Sequence, residues 1–255
     1  MTRLAMLLFC LIAGASPGAA AAGLVETIKT IKPSIVGVGT FDPLRRPSNE
    51  LRGTGFIVGD GRHVLTNNHV VAKKVVPGSR AVLAVFIGTG TTALVRRAEI
   101  LASDKDHDIA LLRFSGKPAP ALRLNQGAMA EEGTQIAFSG FPIGAVYGLY
   151  PVTHRGIISA ITPVAIPQAV SNRLSAAMIH RLAARYNVYQ LDATAYPGNS
   201  GSPVYDIRSG LVIGIVSSVF IKETRENLLS KPSGITLAVP ISYAVRLMRK
   251  MNVAP

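Results

Sequence analysis

The chain has 255 residues, one cysteine, no tryptophan, and 27 basic against 14 acidic side chains, a formal charge of +13. A single cysteine, Cys10, excludes an intrachain disulfide framework, and no HExxH, CxxC or similar ligand spacing points to a metal; no cofactor is expected. The basic residues are scattered, as in Arg45-Arg46, Lys73-Lys74, Arg96-Arg97 and Arg246 to Lys250, with no aromatic platform among them. That argues against nucleic acid as a partner; an anionic envelope surface or acidic protein substrates fit the charge better, with simple solubility as the plain alternative.

In chain order, Arg3, the apolar run Leu4 to Ala13 and the small residues Ala19 to Ala22 read as a secretory leader over 1–22, because the apolar core is too short to cross a bilayer. Cys10 leaves with it, so the mature chain 23–255 has no cysteine and is expected to be exported, to the periplasm or beyond. Its length, about 230 residues, suits one all-β unit. Short β-branched runs separated by Gly/Pro turns support that class: Ser34 to Val38, Gly55 to Val58, Ala81 to Ile87, Thr134 to Phe138, Gly156 to Ile161 and Leu211 to Val216. Pro167 to Tyr186 breaks the pattern, with Val170, Leu174, Met178, Ile179 and Leu182 at helical spacing. Ile241 to Met248 has helical spacing too and predicts a C-terminal helix with an apolar core face.

Pro197-Gly198-Asn199-Ser200-Gly201-Ser202-Pro203 carries the strongest chemical signal. A serine between flexible residues on a tight turn can act as a nucleophile, and Gly198 lets the amides of Gly198 and Ser200 point at one developing oxyanion. By itself such a cluster is an ordinary turn. A serine nucleophile needs a base and a group that orients the base. His69, in Leu65-Thr66-Asn67-Asn68-His69-Val70-Val71, follows a short strand. Asp108 opens the apolar run Ile109-Ala110-Leu111-Leu112, where an acid is costly unless paired. The order His69, Asp108, Ser200 excludes the α/β-hydrolase arrangement, since no histidine follows Ser200 and position 202 is not glycine; a subtilisin-like order would need the acid first. Of the other histidines, His63 and His180 lie beside Arg62 and Arg181 and read as solvated surface. His107 faces away from its neighbour Asp108 by strand alternation, and His154 falls at a strand start.

Gly53-Thr54-Gly55-Phe56-Ile57-Val58, Thr66 to Val71, Asp108 to Leu112 and Gly198 to Pro203 together resemble the HtrA/Deg-type trypsin-like serine peptidases, in register from about Val25 to about Met248. The resemblance implies an all-β chymotrypsin-like fold: two six-stranded antiparallel β-barrels, about 35–112 and about 121–241, with a C-terminal helix and a helical insertion near 167–186. That insertion occupies the place of a regulatory loop in the family; an amphipathic helix covering the barrel is the other reading. The resemblance also implies catalytic roles for His69 (base), Asp108 (orienting acid) and Ser200 (nucleophile), with Gly198 and Ser200 as the oxyanion hole. It places the walls of the primary pocket at Ile215, Val216 and Ser217 and its base at Thr194, with Asp192 as a competing acid. Two departures stand out: Ser202 where a second glycine is common, and only Asn252 to Pro255 after the C-terminal helix, so activation through an appended PDZ domain is not carried over. The function implied is a serine endopeptidase acting on protein or peptide substrates; the alternative is a non-catalytic chaperone or binding protein on the same fold.

Overall fold

The β-branched runs close into two barrels. The computed structural model describes residues 23–72, 80–90, 93–142, 148–164, 186–217 and 235–255. Helix α1 (Leu24–Ile31) leads into barrel 1, made of β1 (Ile35–Phe41), β2 (Asn49–Val58), β3 (His63–Asn67), β4 (Val82–Ile87), β5 (Leu94–Asp104) and β6 (Ile109–Phe114), with the short helix α2 (Asn68–Val71) after β3. Barrel 2 consists of β7 (Gln135–Gly140), β8 (Val152–Pro163), β9 (Asn187–Asp192), β10 (Pro203–Asp206), β11 (Val212–Val216) and β12 (Ile235–Pro240), followed by α3 (Ile241–Lys250).

The strand order β1-β2-β3-β6-β5-β4 in barrel 1 returns as β7-β8-β9-β12-β11-β10 in barrel 2. The β1–β4 and β7–β10 pairings complete the two circles, so neither sheet presents an open edge. All neighbouring strands in both barrels are antiparallel. This is the expected all-β, two-barrel fold.

Strand β6 shows why one run of residues is apolar on both faces. Ala110 and Leu112 point into barrel 1 with Val36, Val38, Ile57, Val64 and Val85. Ile109 and Leu111, on the opposite face, join Phe56, Leu65, Tyr205, Ile215 and Val239 in a layer shared by the two barrels. Burying each large side chain of that layer contributes about 1.5–3 kcal/mol. The layer therefore welds the barrels together along the edge where β3 ends and β6 begins, and the candidate site lies there.

Helix α3 presents Ile241, Ala244, Val245 and Met248 to the core, as its spacing predicts, and ends on Arg249 and Lys250, favourable charges for a helix C-terminus. Helix α1 buries Thr27 and Ile31, and the Thr27 hydroxyl donates to the Ile207 carbonyl at 2.9 Å. The expected leader 1–22 and nearly all of the expected insertion 167–186 lie outside the described residues, as does His180. No helix among the described residues is long and apolar enough to cross a membrane. His63 is not solvated surface. It opens β3 at 9% exposure, because Asp60 of the preceding turn takes its Nδ1 at 2.8 Å.

Candidate active site

Asp108 is bonded through both its carbonyl and its carboxylate. It ends the turn before β6 with φ at 55°, a left-handed conformation that costs most residues about 1–3 kcal/mol and that Asp tolerates better than most. Its carbonyl accepts from Asn67 Nδ2 at 3.0 Å and from the Asn68 amide at 3.1 Å. Its carboxylate accepts the His69 amide on Oδ1 at 2.9 Å; Oδ2 accepts the Ser217 hydroxyl at 2.9 Å and lies 2.7 Å from His69 Nδ1. A carboxylate only accepts, so this arrangement puts the imidazole proton on Nδ1 and leaves a lone pair on Nε2. Val70 and Val71, the buried residues of α2, fix the backbone that carries His69.

His107 has the same two-point grip on an acid: its amide donates to Asp104 Oδ1 at 3.1 Å and its Nδ1 lies 2.7 Å from Asp104 Oδ2. Its ring, however, is stacked on Tyr243 at 4.0 Å and packed against Tyr186 at 4.5 Å. It is a covered, structural histidine. Its ring pairs with Asp104, and the alternation expected of a strand does not apply, because residues 105–108 form a turn. Burial above all, and then the charge of Asp108, pushes the Tyr186 phenol up.

Ser200 sits on the turn between β9 and β10, with Gly198 at φ 104° and Gly201 at φ 88°. A side chain at Gly201 would collide with the Thr54 carbonyl oxygen. Thr54, on β2 of the other barrel, holds the turn directly. Its amide donates to the Ser200 carbonyl at 2.8 Å, and its hydroxyl donates to the Gly198 carbonyl at 2.7 Å while accepting the Phe141 amide at 3.0 Å. The Gly201 amide donates to the Val216 carbonyl at 2.9 Å, which ties the serine turn to the residue before Ser217, the partner of Asp108. Asp108, His69 and the Ser200 turn thus share one wall, braced by Thr54 and Ser217. Thr54→Val is expected to destabilise the fold by about 1–3 kcal/mol in a urea titration, since it strands the Gly198 carbonyl and the Phe141 amide; Thr54→Ser, which keeps the hydroxyl, should lose less than half of that.

Asn199 is fully buried, with its Nδ2 3.5 Å from His154 Nε2 and its Oδ1 without a hydrogen-bond partner among the described residues. The His154 ring stacks on Phe138 at 4.9 Å, and burial pushes its imidazole pKa down. Ser202 is also buried, and its hydroxyl has no hydrogen-bond partner among the described residues.

The pocket residues divide. Thr194 is half-buried between Ala193 and Ala195, whose backbones are bridged by the Thr236 hydroxyl. Ile215 and Val216 do not present side chains to a cleft: Ile215 lies in the layer between the barrels and Val216 in the barrel 2 interior, at 0% and 1% exposure. Strand β11 is apolar on both faces, so neither side chain has an open side. Ser217 is likewise engaged, through its bond to Asp108. Asp192 is exposed at the end of β9.

Residues 53–215 match the model of the trypsin-like peptidase domain family, a stretch that runs from the glycine before Thr54 past His69, Asp108 and Ser200. The chain belongs to the trypsin-like peptidase family. Among its curated relatives in that family is a probable periplasmic serine endoprotease, DegP-like, of Pseudomonas fluorescens, 27% identical over 200 residues covering 78% of this chain and 35% of the relative. A second, from Hahella chejuensis, is 28% identical over 214 residues, 83% of this chain and 38% of the relative. The chain thus spans little more than a third of the length of these relatives. The serine endoprotease of Yersinia pestis has the same fold, at a TM-score of 0.60 and 22% identity over 90% of this chain and 66% of that one. So has the HtrA-type protease AlgW with a decapeptide, at 0.63 and 22% identity over 91% and 67%. The HtrA/Deg-type resemblance read from the four motifs agrees with these relatives.

Proposed function

We propose that the protein is an exported serine endopeptidase that cleaves protein or peptide substrates through His69, Asp108 and Ser200. The observation that carries the reading is the Asp108 carboxylate, which takes His69 by both its amide and its Nδ1 on the wall that also anchors the serine turn. In the reaction, Ser200 Oγ attacks the scissile carbonyl carbon and its proton passes to His69 Nε2. The oxygen that becomes negative is met by the amides of Gly198 and Ser200. His69 then gives the proton to the departing amine as the C–N bond breaks, leaving an ester on Ser200 that water hydrolyses by the same sequence. Asp108 keeps its charge throughout and stabilises the imidazolium. The names of the relatives and the leader-like segment 1–22 support a periplasmic location.

A fluorophosphonate probe tests the reading directly. Labelling of the folded protein, mapped by mass spectrometry to Ser200, is expected. A folded protein that resists labelling would favour a chaperone or binding protein on the same fold.

The base of the primary pocket is assigned to Thr194, which carries no charge. Burying a substrate ammonium or guanidinium there without a counter-charge is costly. Cuts are therefore expected after Val, Ala, Ile or Leu in a digest of a denatured protein read by mass spectrometry. A majority of cuts after Lys or Arg would overturn the Thr194 assignment and identify Asp192 as the pocket acid.

A further inference from the structure

Residues that look dispersed along the chain converge on the outer wall of barrel 1. Arg97 on β5, Arg113 on β6 and Arg62 just before β3 line one open cleft of about 570 Å³, together with Glu99, Ser115 and Gly116. The sheet register explains the convergence. Arg113 stands opposite Glu99 on one side and His63 on the other. The amide of Ser115 donates to the Arg97 carbonyl at 3.1 Å, and that of Phe114 to the Arg62 carbonyl at 3.0 Å. Arg62 Nε reaches the Gly116 carbonyl at 3.3 Å, and the Arg96 guanidinium lies over the same glycine, where a side chain would crowd it.

The acids nearby do not neutralise this group. Asp60 is taken by the His63 ring and the Arg62 amide. Glu99 is one carboxylate against three guanidiniums, and no ion pair joins any of the three to a carboxylate among the described residues. Guanidiniums left in this state are matched by the planar, multiply accepting oxygens of a phosphate. A cluster of cationic side chains on one face suits the anionic head groups of a membrane surface.

We propose that this cleft binds the phosphate head group of an anionic membrane lipid, holding barrel 1 against the envelope surface. Arg113 lies five positions along the chain from Asp108, roughly 15 Å away at strand spacing, so docking leaves the proposed catalytic residues clear of the membrane contact.

The test is sedimentation of the full chain with vesicles of phosphatidylcholine alone and of phosphatidylcholine with phosphatidylglycerol. The parent is expected to sediment only with the anionic vesicles. Arg97→Glu with Arg113→Glu should weaken that binding by about tenfold or more, given the contribution of each basic residue near a charged surface. Arg45→Glu with Arg46→Glu makes the same charge change in an exposed loop elsewhere and should stay within about threefold of the parent. Equal losses in the two double variants would overturn the proposal in favour of diffuse attraction, and so would a parent that ignores anionic vesicles. Release of the parent by millimolar glycerol phosphate would also overturn the lipid assignment, because a free phosphate ester would then be sufficient. Circular dichroism and fluorophosphonate labelling, both expected to be unchanged in the double variants, separate this outcome from misfolding and from failure of the peptidase reading.

Discussion

Ser200→Ala is expected to fold like the parent and to lose about a million-fold in kcat on casein or a peptide substrate. The methyl group cannot attack a carbonyl, and the turn is held by backbone groups that the substitution does not touch: the Ser200 carbonyl to the Thr54 amide, and the Gly201 amide to the Val216 carbonyl. His69→Ala should fail to a similar degree. The informative comparison is His107→Ala. His107 holds Asp104 with the same pair of contacts that His69 makes to Asp108, but its ring is stacked on Tyr243 and packed against Tyr186. Loss of His107 should lower stability and leave kcat within a few-fold. Casein hydrolysis by Ser200→Ala at the parental rate would end the triad assignment, and a collapse of kcat in a folded His107→Ala would transfer the base to His107.

The all-β class was legible because the strands are short, β-branched and punctuated by Gly and Pro; the division into two barrels came with the resemblance that the four motifs carry. The three candidate catalytic residues were legible for a related reason: each stands where a polar turn meets an apolar run. Their supports were not. Thr54, Ser217 and Asn67 reach their partners across 144, 109 and 41 residues of sequence, and a Ser or Thr beside an apolar strand gives no sign of which distant carbonyl or carboxylate it will meet. Ile215 and Val216 are assigned to pocket walls by position in the motif; their side chains are buried in two apolar layers, which leaves only their backbone to line a wall. His63 was misread although its signal was local, since Asp60 lies three residues before it in a glycine turn. Asp108 itself was read as the opening of a strand, whereas its positive φ makes it the end of a turn. Arginine positions that look scattered along the chain are neighbours in register, which only the strand pairing reveals.

Asp108→Asn should keep the fold and lower kcat by about ten-thousand-fold. The carboxylate has three donors directed at it, from the His69 amide, His69 Nδ1 and the Ser217 hydroxyl. In the amide variant the carbonyl oxygen can still accept the His69 backbone N–H, which leaves the NH2 group facing the ring. Two N–H donors cannot face each other, so the imidazole must present Nδ1 as acceptor and carry its proton on Nε2. That tautomer has no lone pair for the Ser200 proton. The Ser217 hydroxyl can rotate to accept from the new NH2, so packing need not change, and the turn remains held through the Asp108 carbonyl by Asn67 and Asn68. The pattern expected is a large loss in kcat with near-parental thermal unfolding. A loss below about tenfold would mean that another acid orients His69, and an unfolded variant would place Asp108 in the framework rather than in the chemistry.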